Sequence, residues 1–350
     1  MAGPARRPDV TSLDRPVLRV GIVSWNTAPL LDRCLAALPA ALDGVPAEVV
    51  VVDNDSADDS AAVAARHGVE VAVNPENRGY AVAMNQALAG SAAPLLLALN
   101  PDTEPPPGSL RRLVDAAGAH PGAGVVVPRL VGPDGRHQPS AYRVPGALVP
   151  LVAALSTRRL RQSRLGQRLL LESGVPHRGG PVGWAIGAVH LVRAAALGGE
   201  APYDERSFMY AEDLDLCWRL ADRGWPTVLV ADVTIPHVGN AAGAQAWGDE
   251  RSLRYWTATY DVIARRRSRG RARVVAAGCA VAAAASLARM RAGAALGRPH
   301  PDRAQAAAVR RRELALHATM ARRGALPPLP AGPAAPAPRD QGTRPVPTST

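Results

Sequence analysis

The sequence is poor in aromatic residues and contains no lysine. Phe, Trp and Tyr together make up 4% of the chain, with a single Phe, whereas apolar residues as a group reach 47%. The core must therefore be built mainly from Ala, Val and Leu. All 41 basic residues are arginines, and together with the many alanines this bias reflects a GC-rich genome more than a function.

Cysteine is also scarce. Cys34, Cys217 and Cys279 are widely separated, and no two of them form a CxxC pair. An odd number of distant cysteines argues against a disulfide framework and against a structural zinc site. The pattern fits a protein of the reducing cytosol, and we expect a cytoplasmic location.

Several targeting and nucleotide-binding motifs are missing. The first residues, MAGPARRPDVTSLDRP, lack the apolar segment of a signal peptide. The longest apolar run, roughly 274–288, is shorter than the about 20 residues that a membrane-spanning helix needs, so we expect no transmembrane segment. Neither GxGxxG nor GxxxxGKS/T occurs, which disfavours a Rossmann dinucleotide site and a P-loop.

Apolar runs of strand length alternate with helical patterns over the first 130 residues. Strands that are apolar throughout and alternate with helices indicate a mostly parallel central sheet covered by helices on both faces. The predicted fold class is therefore α/β. The predicted strands are 18–23, 48–53, 69–73, 94–99 and 124–127, and the helices between them include 60–66, 81–89 and 109–118. A later helix is expected to begin near residue 211 and a strand to span 227–230.

Composition divides the chain into four parts. The main α/β domain is expected at 17–245, after a flexible N-terminus at 1–16. Residues 246–324 are predicted to form a helical, basic extension, and the Pro-rich residues 325–350 a disordered tail.

Polar side chains follow four of the predicted strands at their carboxyl ends, where open parallel sheets bind ligands. Each loop alone contains only the residue types that a turn requires. Four polar strand ends that meet at one edge of a sheet, however, indicate a ligand site. Asp and Asn side chains can hydrogen-bond a base or ribose, and an Arg offers a fork of donors to phosphate. The candidate residues are Ser24, Asn26, Asp53, Asn54, Arg78, Asn100 and Asp102.

A second cluster lies in FMYAEDLDLCWRLADRGW (208–225), where Glu212, Asp213 and Asp215 occupy the start of a predicted helix. One or two carboxylates would complement the positive end of the helix dipole, but three exceed what capping requires. A carboxylate at a helix N-terminus is expected to stay ionised, which suits a general base. His237 follows the next strand, and a single His is more often structural than a metal ligand.

Six stretches occur in an order that resembles the family 2 glycosyltransferases, in particular their rhamnosyltransferase-like branch. The resemblance covers about residues 18 to 240 and lies in VDNDSADDS, NPENRGYAVAMNQAL, LNPDT, VGWAIGAVHLVR, YDERSFMYAEDLDLCWRL and IPHVG. Such enzymes have the GT-A fold, use nucleotide-sugar donors and usually a divalent cation, and invert the anomeric centre. The resemblance therefore implies transfer of a sugar, with dTDP-rhamnose as one donor, to a glycan or lipid-linked acceptor of the cell envelope.

The resemblance also assigns roles to single residues. Asn-Pro-Asp at 100–102 is similar to the family's Asp-x-Asp motif, so Asp102 is the expected ligand of Mg²⁺ or Mn²⁺, and His237 matches a further metal ligand. Asp213 is the expected base. Because Asn100 replaces the first carboxylate of the stricter motif, we expect weak cation dependence. The remaining assignments are Ser24, Asn26, Asp53, Asn54, Arg78 and Asn100 for the nucleotide-sugar, and Trp184 and Glu212 for the acceptor side.

The net charge of +11 suits an anionic partner. Much of it lies in RRRSRGRAR (265–273), which precedes an Ala-rich apolar stretch. This segment fits an interfacial helix on an anionic membrane surface, and it fits equally a solvated basic linker beside a helical hairpin. The run contains no aromatic residue, which argues against nucleic acid.

Two other functions stay open at this point. A sugar-phosphate nucleotidyltransferase would use the same strand-edge nucleotide site, but it normally has a Gly-rich basic loop after the first strand, where this chain has Ser24-Trp25-Asn26. A non-enzymatic adaptor would use only the arginines to bind a membrane or nucleic acid. For a transferase, the Gly- and Pro-rich residues 132–182 are expected to build the acceptor wall.

Overall fold

The computed structural model describes residues 16–146, 179–239, 248–296 and 303–326. The predicted flexible N-terminus, the Pro-rich tail and most of the 132–182 segment lie outside these residues. Within them, nine strands form one mixed sheet. They are β1 (Leu18–Ser24), β2 (Ala47–Asp53), β3 (Glu70–Val73), β4 (Leu95–Leu99), β5 (Val125–Val131), β6 (His137–Gln138), β8 (Gly180–Val182), β10 (Val189–Arg193) and β11 (Thr227–Pro236), while β7 (Ala141–Tyr142) pairs with β9 (Trp184–Ala185).

Helices cover both faces of this sheet, as predicted. The helices are α1 (Ala28–Leu42), α2 (Ser60–Arg66), α3 (Tyr80–Leu88), α4 (Ser109–Ala119), α5 (Ala194–Leu197), α6 (Glu212–Asp222), α7 (Arg251–Arg266), α8 (Arg269–Ala295) and α9 (Arg303–Arg323), with a 3₁₀ turn at Gly248–Glu250. Helices α1, α2 and α4 pack on one face, and α3, α5 and α6 on the other. Both layers of core are aliphatic, since Ala, Val and Leu supply most of their buried apolar side chains.

The strand order is β3-β2-β1-β4-β10-β5-β11-β8. Strands β1 to β4 are mutually parallel, β10 lies antiparallel between β4 and β5, and β11 is parallel to β5. Ser24 pairs with Asp53 in this register, and Ile22 pairs with Leu99. The carboxyl ends of β1, β2 and β4 therefore meet at one edge, and the predicted α/β class with a mostly parallel sheet is confirmed.

Two predicted strands differ in detail from the structure, and a third apolar stretch is interrupted. Strand β3 is an exposed edge strand rather than an apolar central one, with 63% of Val73 exposed, because no further strand covers it among the described residues. The apolar stretch 182–192 is divided into three strands by turns. Strand β11 continues beyond Val230 through an irregular register to Pro236, since Thr234 to Pro236 resume pairing with β5. This extension brings His237 opposite Thr103.

The basic extension is helical, as expected, and its core is continuous with that of the main domain. Tyr260 is buried, stacks on Trp256 and shares a hydrogen bond of 2.8 Å with His317 Nδ1. The same apolar cluster includes Trp184 and residues of α6. Helices α7 to α9 therefore pack against the sheet domain rather than forming a separate unit.

Helix α8 is longer than the apolar run suggested. Its 27 residues, with a mean hydropathy of 1.4 over the most apolar window, make it the one helix among the described residues that is long and apolar enough to cross a membrane. The prediction that no apolar segment is long enough to span a membrane was therefore wrong, because the helix extends beyond the run 274–288. The helix also packs against α9 and α7 through Ala272, Val275 and Cys279.

Candidate active site

One cavity of about 390 Å³ opens at the carboxyl edge of β1, β2 and β4. Its walls come from the strand-end loops, from the start of α6 and from α7. They are Val23, Trp25, Thr27, Asn54, Asn77, Tyr80, Asn100, Pro101, Asp102, Gln138, Trp184, Ile186, Gly187, Ala188, Met209, Tyr210, Ala211, Glu212, Asp213, His237, Val238, Gly239 and Tyr255. Seven of the eleven residues selected from the sequence line this cavity, namely Asn54, Asn100, Asp102, Trp184, Glu212, Asp213 and His237.

The other four selected residues do not line the cavity. Ser24 is fully buried, and its hydroxyl meets those of Thr27 at 2.7 Å and Ser60 at 3.0 Å. Asn26 accepts a hydrogen bond from the Ala57 amide and has a left-handed backbone with φ of 53°. These contacts fix the loops after β1 and β2, so the structure assigns Ser24 and Asn26 a supporting position rather than a cavity wall.

Asp53 and Arg78 lie beside the cavity. Asp53 Oδ1 accepts a hydrogen bond from the Ser56 amide at 2.8 Å, while Oδ2 is buried with no partner among the described residues. Burial raises the pKa of this carboxyl. The Arg78 side chain is exposed, and its backbone amide donates to Asn54 Oδ1 at 3.1 Å. Both groups lie next to residues of the cavity wall, so a nucleotide that extends from the cavity along the strand ends would meet them.

The loop that carries Arg78 is anchored to the loop that precedes α6. The Tyr80 amide donates to the Phe208 carbonyl at 2.8 Å. Gly79 has φ of 81°, and a Cβ at this position would overlap the Phe208 carbonyl oxygen, so only glycine permits this close approach. The predicted donor loop and the second acidic cluster are therefore held against each other.

Asp102 and His237 form a buried pair. His237 Nε2 lies 3.2 Å from Asp102 Oδ1 without hydrogen-bond alignment, and His237 Nδ1 contacts Gln138 Oε1 at 2.9 Å. Because an amide oxygen can only accept, the ring directs its Nδ1–H to Gln138 and its other nitrogen toward the Asp102 carboxylate.

This arrangement fits a divalent cation. A His ligand of a metal typically donates its other ring N–H to an oxygen, as His237 does to Gln138. No third His, Cys, Asp or Glu joins the pair within the described ranges. Mg²⁺ and related ions are commonly held by one or two protein ligands, with the remaining ligands supplied by substrate phosphates and water. Asp102 and His237 are thus the candidate protein ligands for such an ion.

Glu212 and Asp213 are a pair of carboxyls that line the same cavity. Asp213 accepts hydrogen bonds from the Gly187 amide at 3.0 Å and from its neighbour Leu214 at 2.7 Å. Glu212 Oε2 is buried with no partner among the described residues. Burial raises the pKa of both carboxyls, and the charge of Asp213 raises that of Glu212 further. A helix N-terminus alone would lower both pKa values, so the rise shows that desolvation outweighs the dipole here.

Tyr80 lies on the cavity wall near the carboxyls of both pairs. Burial raises the pKa of the Tyr80 hydroxyl, and so do the charges of Glu212, Asp213 and Asp102. Tyr80 packs edge-on against Tyr203 and donates to the Gly187 carbonyl at 3.3 Å.

Asp215, the third carboxylate of the cluster, has a structural position instead. It is fully buried and receives two hydrogen bonds from the Arg266 guanidinium, at 2.8 and 2.7 Å. Arg265 and Arg267 pair in the same way with Asp204 and with Asp222 of α6. The arginine run therefore fastens α7 to the main domain, and much of its charge is neutralised within the molecule.

Several cavity residues were missed in the sequence. Trp25 lies between two residues that were selected, and its indole Nε1 is buried without a partner among the described residues. Its position directly after β1 was a usable signal. Gln138 and Tyr255 lie on β6 and α7, far from the recognised motifs, and nothing in the sequence relates them to the strand ends.

The fold is of the GT-A type, and one cavity at its sheet edge carries both the Asp102–His237 pair and the Glu212–Asp213 pair. The mannosyltransferase PcManGT from Pyrobaculum calidifontis, solved with GDP-Man and Mn²⁺, has a similar fold, with a TM-score of 0.54 and 18% identity over 89% of this chain and 88% of that chain. Residues 19–178 match the Glycosyl transferase family 2 model.

Curated relatives identify the family. The N-acetylglucosaminyl-diphospho-decaprenol L-rhamnosyltransferase of Mycobacterium tuberculosis is 34% identical over 238 residues, which are 63% of this chain and 76% of the relative. An uncharacterised glycosyltransferase of Mycobacterium bovis is 36% identical over 171 residues, 46% of this chain and 74% of that protein. The chain belongs to glycosyl transferase family 2. The nucleotidyltransferase and adaptor hypotheses thereby lose their support.

Proposed function

We propose that the protein transfers a sugar from a nucleotide-sugar donor to a hydroxyl of a cell-envelope acceptor, with inversion at the anomeric carbon. The observation that carries this proposal is the single cavity lined by both Asp102–His237 and Glu212–Asp213. The mycobacterial relative is named for transfer of L-rhamnose to a lipid-linked N-acetylglucosaminyl diphosphate, which supports dTDP-rhamnose as donor and a lipid-linked glycan as acceptor.

In this proposal, Asp213 accepts the proton of the acceptor hydroxyl. The hydroxyl oxygen then forms a bond to the anomeric carbon from the face opposite the nucleoside diphosphate, and the bond from that carbon to the diphosphate oxygen breaks. Two backbone amides hold the Asp213 carboxylate in place. Glu212 retains its proton more readily than Asp213, so the pair presents one base and one hydrogen-bond donor to the acceptor.

Asp102 and His237 would hold the divalent cation, which would neutralise charge on the departing diphosphate. No arginine lines the cavity among the described residues, so the protein offers the diphosphate few charges of its own there. The lack of arginines favours a strong dependence of donor binding on the cation. The replacement of a carboxylate by Asn100 had instead predicted a weak dependence. Asn100 Oδ1 is buried without a partner among the described residues and remains a candidate contact for the nucleotide-sugar.

Thermal-shift measurements with UDP-, GDP- and dTDP-sugars, each with and without Mn²⁺, test the proposal. A donor at 100 times its Kd stabilises the folded state by about 2.7 kcal/mol, so we expect the Tm to rise by several degrees with the true donor and Mn²⁺. dTDP-rhamnose is expected to give the largest shift. If no nucleotide-sugar raises the Tm, with or without the cation, the proposed function is wrong.

Asp102→Ala is expected to weaken Mn²⁺-dependent binding of the nucleoside diphosphate at least about tenfold, because one of two protein ligands is removed. Titration calorimetry of dTDP with and without Mn²⁺ measures this effect. Glu104→Ala is the matched control, since Glu104 is an exposed carboxylate two residues away that pairs with Arg33. Equal affinity of the Asp102 variant and the parent protein in Mn²⁺ would contradict the assigned role.

Association with the inner face of the membrane is a further part of the proposal. Val274 and Val281 are exposed on α8, beside the exposed arginines Arg271 and Arg273. An apolar stripe with a basic flank is typical of peripheral attachment to anionic lipid. Such attachment would bring the cavity close to a lipid-linked acceptor made in the cytoplasm.

A further inference from the structure

Gln138 contacts the ring of His237 through the nitrogen that does not face Asp102. Strand β6 is short and pairs antiparallel with β5, with Gln138 opposite Leu130. The Gln138 side chain lines the cavity, and its Oε1 lies 2.9 Å from His237 Nδ1. On the other side of the ring, His237 Nε2 lies 3.2 Å from Asp102 Oδ1. The buried imidazole is therefore held between an amide and a carboxylate.

The backbone around His237 is fixed by main-chain hydrogen bonds. The His237 amide donates to the Val131 carbonyl, and the Val238 amide donates to the Asp102 carbonyl, both at 2.9 Å. These bonds leave the orientation of the ring to its own contacts. A half-turn of the imidazole would place a carbon atom where each nitrogen now lies, so the contact with Gln138 selects the orientation of the ring.

The contact with Gln138 also selects the tautomer of His237. The side-chain oxygen of a glutamine can only accept, so the ring directs its Nδ1–H to it. Nε2 is buried and has no hydrogen-bond partner among the described residues. The ring nitrogen of a histidine that binds a metal is set by the hydrogen bond that the other nitrogen makes. The arrangement thus leaves Nε2 as the metal-binding nitrogen.

Gly239 leaves room for the Gln138 side chain. It has φ of 81°, and a Cβ at this position would lie only 2.9 Å from Gln138 Nε2. Because this amide is the end of a flexible side chain, a Cβ would displace the amide rather than the backbone. The glycine of the stretch IPHVG therefore preserves the contact between Gln138 and His237, in addition to permitting a left-handed backbone.

We propose that Gln138 is a positioning residue of the cation site, which holds Nδ1–H of His237 on its side-chain oxygen and thereby directs Nε2 to the divalent cation. The inference rests on the proposed function, in which Asp102 and His237 bind the cation, and it adds a residue that acts through His237. Since Gln138 is uncharged, removal of its oxygen changes the orientation of the ligand without changing the charge of the site.

The tautomer of His237 is a direct test that needs no enzymatic activity. Long-range proton–nitrogen correlation spectra of protein with isotope-labelled histidine, recorded at mildly alkaline pH, report which ring nitrogen carries the proton, and His237→Gln identifies the signal. We expect the proton on Nδ1 in the parent protein. Gln138→Met keeps the length of the side chain but has no acceptor oxygen, so part of the population should carry the proton on Nε2. A proton on Nε2 in the parent protein would overturn the inference, as would an unchanged tautomer in Gln138→Met.

The affinity for Mn²⁺ provides a second test, measured by calorimetry in saturating dTDP. Gln138→Met is expected to weaken Mn²⁺ binding about tenfold or more, the usual effect of removing a residue that orients a metal ligand. Gln138→Glu restores an acceptor oxygen and should keep the affinity within about threefold of the parent value or increase it. Arg136→Met is the control, because Arg136 lies two residues away and its side chain is 88% exposed. Its affinity for Mn²⁺ should equal that of the parent protein.

Gly239→Ala is an independent variant, since it displaces the Gln138 amide without changing the glutamine, and it should weaken Mn²⁺ binding in the same direction. The inference is overturned if Gln138→Met and Gly239→Ala both bind Mn²⁺ as the parent does. It is also overturned if Gln138→Glu loses as much affinity as Gln138→Met, because the glutamine would then act through its shape. In either case the proposed function stands as long as Asp102→Ala loses Mn²⁺-dependent binding. If the parent protein itself binds no Mn²⁺ with dTDP, the cation assignment of the proposed function is wrong, and this inference with it.

Discussion

Asp213→Asn is expected to lower kcat by about 10²- to 10⁴-fold, the range that a general base contributes. The amide has nearly the shape of the carboxylate but cannot accept the acceptor proton. Donor affinity should change by no more than about threefold, because the groups expected to contact the nucleotide and diphosphate, Asn54, Asn100 and Asp102, are unchanged. Single-turnover kinetics together with donor titration separate these two quantities.

The hydrogen bonds of Asp213 define the control. Its two carboxylate oxygens accept from the amides of Gly187 and Leu214, and asparagine can accept only one of these bonds. We therefore expect the free energy of unfolding to fall by about 1 kcal/mol, the value of one lost hydrogen bond. The Tm should fall only slightly. Glu212→Gln is the matched variant on the same helix turn and should lower kcat far less, since Glu212 is not the proton acceptor. If Asp213→Asn abolishes donor binding together with turnover, its role is structural.

The pH profile gives an independent check of the same residue. Burial raises the pKa of Asp213 above that of an ordinary aspartate, which is about 3.9. Only the deprotonated carboxylate acts as a base, so kcat should fall as the pH is lowered through this raised pKa. The acid limb should therefore lie above pH 4, and it should be absent from the residual activity of Asp213→Asn. An acid limb retained in that variant would assign the titration to another group.

The sequence predicted the parts of the fold that depend on local pattern. Continuous apolar runs such as 94–99 place a strand correctly because a central parallel strand is buried on both faces. The run 69–73 also forms a strand, but this strand lies at an exposed edge of the sheet. Whether a strand is central or at an edge depends on its neighbours across the sheet, and those neighbours are distant in sequence.

The prediction of the candidate site is limited in the same way, by contacts with residues that are distant in sequence. Asp102 and Asp213 were selected from their loops, and both lie on one cavity. Asp215 has the same residue type and the same local context as Asp213, yet it faces away and is fully buried against Arg266. Two residues, roughly half a helical turn, separate a cavity wall from a core position, and the partner that decides between them lies on another helix. Tyr255 could not be found for the same reason.

Arg266 and Asp215 should contribute more to stability than any surface ion pair of the chain. Asp215→Ala is expected to reduce the free energy of unfolding by about 3 kcal/mol or more, because it leaves the partly buried Arg266 without its bidentate partner. A loss of this size corresponds to a fall in Tm of roughly 5–10 °C. Thermal denaturation followed by circular dichroism measures it. Truncation within the arginine run would remove the same contacts, so it cannot serve as a clean test of membrane or acceptor binding.

Asp222→Ala is the matched control, since Asp222 lies on the same helix and pairs with the next arginine, Arg267. The Asp222 side chain is 46% exposed, whereas that of Asp215 is fully buried, and an exposed pair is typically worth less than about 1 kcal/mol. If both variants reduce the free energy of unfolding equally, burial does not strengthen the contact between Asp215 and Arg266. A large loss for Asp215→Ala alone would identify this pair as the anchor that joins α7, and with it Tyr255, to the sheet domain.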